Sequence, residues 1–172
     1  MRVLIFLMFI WSASALAEET FYLELAANGV MQSVADDDFT LASTELRAGY
    51  YIVDMIAIEA FAGVGVLEDS VGDANQSMPS LYGINTRFES PSRDGTKAFI
   101  VVGYSSTDLE LSRKSSGQVL AEDTFDGFSY GIGLEEALSK TNPIYLNLRW
   151  QRHYSAGDIT IDSLGVALRY AF

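Results

Sequence analysis

Large apolar side chains occupy every second position in segment after segment of this chain, with small or polar residues between them. In "TFYLEL", Phe21, Leu23 and Leu25 alternate with Tyr22 and Glu24. In "STELRAGYYIV", Leu46, Ala48, Tyr50 and Ile52 alternate with Glu45, Arg47, Gly49 and Tyr51. "IAIEAFAGVGV" sets Ile56, Ile58, Ala60, Ala62, Val64 and Val66 against Glu59, Gly63 and Gly65. "LYGINTRFE" sets Tyr82, Ile84, Thr86 and Phe88 against Gly83, Asn85, Arg87 and Glu89. The second half keeps the habit in "KAFIVVGY", "FSYGIGLE" and "IYLNLRWQ". It closes on "SLGVALRYAF", where Leu164, Val166, Leu168, Tyr170 and Phe172 share one parity. A side-chain period of two belongs to strands, whose neighbours face opposite ways, so these segments predict eight β-strands and an all-β fold.

The connections between them alternate in length. "ANGVMQSVADDDFT" follows the first strand and little more than Val53-Asp54 follows the second. "EDSVGDANQSM" is long, "SPSRDG" short, "STDLELSRKSSGQVLAEDTFD" longest, "SKTN" short and "HYSAGDIT" intermediate. That rhythm predicts an antiparallel up-and-down barrel with long loops on one rim and tight turns on the other. Pro79, Pro91 and Pro143 fall in connections or at strand starts, where no ladder hydrogen bond is lost.

The two parities differ in chemistry. One is apolar throughout. The other collects Glu24, Glu45, Glu59, Glu89 and Glu135 together with Arg47, Arg87, Lys97, Arg149 and Arg169. A soluble barrel would turn its apolar face inward and its ions to water. Here the acids and bases balance in number, the glycines share their parity, and the opposite face is continuously apolar. Those features place the charged set inside, as an ion-pair network filling the narrow interior of an eight-stranded barrel. The aromatic residues sort by height as well. Phe21, Tyr50, Phe88, Tyr170 and Phe172 fall at one end of their strands, and Tyr82, Tyr104, Phe128, Trp150 and Tyr154 at the other. Two aromatic girdles around an aliphatic band predict a barrel whose outside faces lipid.

The first residues sharpen that expectation. "MRVLIFLMFIWSASALA" has one basic residue, an apolar run too short to span a bilayer and small residues ending Ala15-Leu16-Ala17. It reads as a cleaved export signal, 1–17, followed by one barrel domain, 18–172, with a retained N-terminal anchor as the alternative. The chain has no cysteine, so neither disulfides nor thiol chemistry enter. Its net charge of −12 argues against nucleic acid. No metal or cofactor is expected.

"GFSYGIGLEEALSKTNPIYLNLRWQRHY" followed by "IDSLGVALRYAF" resembles the last three strands of the small outer-membrane β-barrel family that includes the transmembrane domain of outer membrane protein A. The resemblance implies the outer membrane of a Gram-negative bacterium. It also implies that Phe172, with Tyr170, Leu168, Val166 and Leu164 upstream, forms the signal read by the barrel assembly machinery. The expected partners are that machinery, outer-membrane lipid and lipopolysaccharide, and the expected state is a monomer. A peptidoglycan-binding domain after the barrel is not expected, so a wall-anchoring role is not implied.

Three chemistries compete with a purely structural or surface-interaction role. Asp36, Asp37, Asp38, Glu68, Asp69, Asp73, Asp108, Glu110, Glu122, Asp123 and Asp126 crowd the long loops and could hold Ca²⁺ or Mg²⁺. No stretch has the spacing and glycine of a calcium loop, and simple solvation of exposed loops is the favoured reading of the acids. His153-Tyr154-Ser155 resembles part of the H-x-S-N motif of outer-membrane lipid A deacylases, which are barrels of the same size. Ala156 replaces the Asn, and Asp162 stands where a Glu is expected. Strand parity points His153 and Ser155 inward and Asp162 outward, which breaks the triad a nucleophilic serine needs. A narrow pore is the third reading, limited by a lumen that side chains fill. Gly63-Val64-Gly65 and Gly131-Ile132-Gly133 lack a full phosphate-loop pattern and read as inward glycines beside large neighbours.

Overall fold

The computed structural model describes residues 20–34, 37–71 and 73–172. The expected export signal, its cleavage point and Asp36 lie outside the described residues, as do the side chains of Asp37 and Asp38. The strands are β1 (Phe21–Val34), β2 (Asp37–Val53), β3 (Ile56–Leu67), β4 (Asp69–Val71), β5 (Ala74–Glu89), β6 (Thr96–Arg113), β7 (Val119–Ala137), β8 (Ile144–Ala156) and β9 (Ile159–Ala171). Every pairing is antiparallel. The three-residue β4 continues the position of β3 along β5, so the wall has eight staves. β1 pairs with β9, Glu24 beside Arg169 and Leu25 beside Leu168, and β3 with β5, so the cylinder closes through its membrane-facing part, while above Tyr130 β7 is paired with β6 alone.

Turn chemistry sets the tight rim. Asp94 and Gly95 both have positive φ, 54° and 90°, the pair of left-handed residues that a type I′ hairpin requires. Arg93 and Thr96 exchange N–H···O bonds of 2.9 Å across that turn. At the other rim Gly157, φ 58°, lets β8 reverse into β9.

Within the membrane-facing part, alternation is as the sequence predicts. Leu25, Leu46, Ile84, Ile132, Leu148 and Leu168 are exposed on the outside, while Glu24, Arg47, Glu59, Arg87, Glu135 and Arg149 are buried inside. The long loops are a different matter. β6 and β7 run for 18 and 19 residues, well beyond the roughly 9–11 that cross a bilayer. Residues expected in loops, Asp108, Glu110, Glu122, Asp123 and Asp126 among them, therefore lie on paired strands.

The reason is a reversal of polarity, not a loss of alternation. Above the outer girdle Val30, Leu41, Leu109 and Ile161 turn inward and are buried, while Asp108, Glu110, Glu122 and Thr124 share the outward parity. Outside the bilayer the solvent is water, so the barrel wall adopts the inside-out arrangement of a soluble barrel. One cylinder thus carries two opposite patterns, stacked end to end.

Candidate functional site: a filled lumen and its outer mouth

The lumen is built in layers. At the tight-turn end Tyr22, Ala57 and Ala171 are buried together, with Tyr51 and Tyr145 packed against them. Gly49 permits this: a Cβ there would run into the Tyr22 ring. Tyr22 and Tyr51 donate hydroxyl hydrogen bonds of 2.6 Å to Glu59 and Glu89, so the aromatic layer is fastened to the charges above it.

Those charges form the second layer. Arg149 meets Glu59 with two hydrogen bonds of 2.9 Å. Arg47 reaches Glu24 at 2.7 Å and Glu45 at 2.6 Å. Glu135 accepts from Arg87 at 2.7 Å and Arg169 at 2.6 Å. Glu89 takes Lys97 at 3.1 Å, and Arg87 Nε lies 2.7 Å from the same carboxylate but off hydrogen-bond alignment. All ten charged residues of the inward parity are thus brought together. The arginines and their carboxylates are sealed from solvent, and Lys97 sits at the partly open edge. Buried charges this dense persist only where each desolvated ion has several partners.

Neutral groups finish the accounting. Asn28 donates to Glu45 at 2.6 Å, and Asn147 donates to Glu24. The guanidinium of Arg87 lies 3.7 Å from the centre of the Phe99 ring, with Arg149 at 5.0 Å, so the ring face takes up positive charge that carboxylates leave over. Phe99 fits because Gly133 is opposite, where a Cβ would strike the ring. Tyr22, Asn28, Phe99 and Asn147 were not singled out by sequence. The signal available was parity, since each lies two or four residues from a charged neighbour on the same face.

Above the charges come Asn85, Ser105, Ser129, Gln151, His153 and Ser163, all buried. An apolar plug of Val30, Leu41, Phe61, Met78, Leu81, Leu109 and Ile161 then closes the column. Gly83 seats the Phe61 ring as Gly133 seats Phe99, and Gly63, Gly65 and Gly131 sit against Glu45, Met78 and Gln151.

The His153 region departs from expectation. A β-bulge between Arg152 and Tyr154 makes His153 the extra residue opposite β9. His153 is buried and its Nε2 lies 2.8 Å from Ser163 Oγ, a serine the sequence reading passed over. Ser155 is exposed, not inward, because the bulge shifts the parity after it. Asp162 turns outward and holds Arg152 with two bonds of 2.7 Å. Nδ1 of His153 has no partner among the described residues, so no acid orients the ring. His153, Ser155 and Asp162 do not converge.

The same bulge moves Tyr154. Expected on the lipid-facing girdle, it packs against the interior plug and meets Phe125 edge-on at 5.4 Å. The remaining outer aromatics, Tyr82, Tyr104 and Phe128, are exposed on the outside with Trp150 half-buried beside Tyr130. At the tight-turn end Phe172 packs on Tyr170 and Phe21, at 4.8 and 5.7 Å, with Tyr50 and Phe88 exposed along the same rim. Leu164, Val166 and Leu168 stand exposed above Tyr170.

On the outer extension the acids bind locally. Asp108 accepts from Ser80 at 2.6 Å and Thr124 at 2.7 Å, and these bonds hold its carboxyl below the usual range. Asp69 is lowered too, by the backbone N–H groups of Thr40 and Ser70. Among the described residues no three acids or histidines gather as a metal site would require.

A closed eight-stave barrel with a greasy outer band, girdles and an ion-paired lumen is the architecture of a transmembrane β-barrel. The match to the outer membrane protein beta-barrel domain family spans residues 3–172, and the chain belongs to that family. No curated protein matches it. Among solved structures it is similar to Neisserial surface protein A, at 14% identity and TM-score 0.71 over 88% of this chain and 97% of that one. It is also similar to Ail, the attachment invasion locus protein of Yersinia pestis, crystallised with the heparin analogue sucrose octasulfate. There the identity is 10% and the TM-score 0.67, over 90% of this chain and all of that one (100%). The N-terminal barrel of Pseudomonas aeruginosa OprF follows at 14% identity and TM-score 0.54, over 87% and 97%. At such identities the likeness is one of fold.

Proposed function

We propose that this chain is a non-enzymatic barrel of a Gram-negative outer membrane, exported with cleavage after Ala17, whose rigid body carries its outer hairpins to partners at the cell surface. The observation supporting this is the pairing of a packed lumen with a wall that continues past the girdle to Arg113 and Val119. The packing stiffens the mount, and the extension places acidic side chains well outside the lipid. A pore would need the column of paired ions and the plug above it to part. A hydrolase would need a reachable nucleophile, whereas Ser163 and His153 are both sealed in.

The partner chemistry follows from charge. The β6–β7 extension carries Asp108, Glu110, Glu122, Asp123 and Asp126 against Arg113 and Lys114. A sulfated polyanion of the kind named in the Ail structure would be repelled, and a basic protein surface attracted. Lipopolysaccharide and outer-membrane lipid surround the barrel, and the assembly machinery inserts it as a monomer.

Cells displaying the chain should bind amine-coated beads better than cells lacking it, and sulfate-coated beads no better. Cutting the β6–β7 hairpin back to a turn joining Ser106 to Asp126 should remove the gain while the barrel stays heat-modifiable on gels. Unchanged bead binding after that cut would refute the display role. A large stable conductance in planar bilayers, or an altered lipid A acyl pattern, would replace it with the pore or the enzyme.

A further inference from the structure

The outer mouth contains a cavity that neither the lumen network nor the hairpin tips explain. It measures about 310 Å³ and sits beside the apolar plug, sharing Leu109 with it. Phe39, Leu111, Phe125 and Ile159 contribute most of the rest of its apolar wall, and Gln32, Gln76 and Asp123 supply polar groups. Gln32 is the unusual member. It is 3% exposed, and its Oε1 has no hydrogen-bond partner among the described residues. A buried amide oxygen left unpaired costs more than the net worth of the bond it lacks, and a donor on a bound molecule would recover that cost. An apolar hollow with few, fixed polar groups is the usual build of a small-molecule site, and barrel mouths are a common place for one.

We propose that this mouth binds a small molecule with an apolar ring or short-chain body and one N–H donor, neutral or cationic. The body lies against Phe39, Leu109 and Phe125. The donor goes to Gln32 Oε1 after a small turn of the terminal amide, a soft torsion. Asp123 in the wall and the acids of the surrounding hairpins exclude an anion. The volume falls at the low end for ligand sites, near 300 Å³, which suits a two-ring aromatic amine better than a full lipid. The site is independent of the display role, since it would bind whether or not the hairpins meet a partner.

The test uses the barrel in lipid nanodiscs, with empty nanodiscs as the measure of bilayer partitioning. The probes are 1-naphthylmethylamine and 1-naphthoate, which share a ring and differ in the sign of the head group. Saturable one-to-one binding of the amine, and none of the carboxylate, is expected. Ala121→Trp, at an exposed wall position, should fill the cavity and abolish binding. Gln32→Leu should weaken it about tenfold, the worth of one hydrogen bond. Leu111→Phe, a second filling change, should act as Ala121→Trp does, and gel mobility checks the fold of each variant. Equal uptake by empty nanodiscs, equal binding of the carboxylate, or full binding by both filled variants would overturn the proposal.

Discussion

Replacing Arg149 by Met should reveal what the lumen network is worth. Arg149 gives both of its terminal nitrogens to Glu59, at 2.9 Å each, and lies 3.8 Å from Glu24. Arg149→Met leaves five inward carboxylates facing four cations in a lumen whose charges are sealed from bulk solvent. Removing one member of a buried pair costs about 3–5 kcal/mol. Glu59 keeps the Tyr22 hydroxyl at 2.6 Å and Arg87 at 3.5 Å, which puts the expected loss near the low end, about 3 kcal/mol. Glu59→Gln alone should cost about as much, because the nearest counter-charge left to Arg149 is then Glu24 at 3.8 Å. The double variant restores neutrality and keeps an acceptor for Tyr22. It should lose only about 1–2 kcal/mol, the net value of the missing hydrogen bonds. The singles should therefore overshoot the double, with a coupling of at least about 2 kcal/mol. Urea titration of the barrel refolded in phospholipid vesicles, followed by circular dichroism and unheated gel mobility, measures all four corners. An Arg149→Met barrel within about 1 kcal/mol of the parent, or singles that simply add, would mean that the charges are spectators.

Gly133→Leu should destabilise the barrel by about 1–3 kcal/mol, the usual cost of overpacking, because the new side chain enters the space of the Phe99 ring. The same titration checks it, and Gly29→Leu, where the nearest atom lies 3.9 Å away and the backbone is ordinary strand, gives the comparison. Asp108 is held below its ordinary value by Ser80 and Thr124, so its support for the outer extension is complete above the unfolded value, about 3.9. That support is lost as pH falls through the lower folded value. The protection factor of the Thr124 amide, measured against its intrinsic exchange rate at each pH, should therefore fall in acid while that of Ile132 in the bilayer does not. Ser163→Ala and His153→Gln should leave lipid A mass spectra unchanged in cells expressing the barrel, and an altered acyl pattern would revive the hydrolase. Deleting Phe172 should lower the amount of barrel assembled in cells far more than the yield of refolding into detergent, as expected of a residue read by assembly machinery.

How much of this was legible in the sequence depends on which solvent each segment meets. For Glu24, Glu45, Arg47, Glu59, Arg87, Glu135, Arg149 and Arg169 parity, taken with the balanced charges and the continuously apolar opposite face, gives the correct side of the wall, because hydrocarbon outside leaves the ions one place to go. Strand length was not legible by the same rule. At Thr107, Leu109 and Leu111 the alternation persists with its sense reversed, and a reader expecting greasy residues outside sees a polar loop. Tyr154 and Ser155 depart from expectation for a different reason. A bulge adds one residue to one strand, and nothing in "RWQRHYSAGD" marks where the count slips; only the partner strand shows it. Phe99 and Tyr22 went unnoticed because an aromatic ring on the charged parity looks like noise in the pattern. In the folded lumen both rings lie beside guanidinium groups, in seats left open by their glycine partners on the neighbouring strands, Gly49 and Gly133. Period two therefore reports which face a residue takes only once the surrounding solvent is known, and in this barrel the solvent changes partway along each long hairpin.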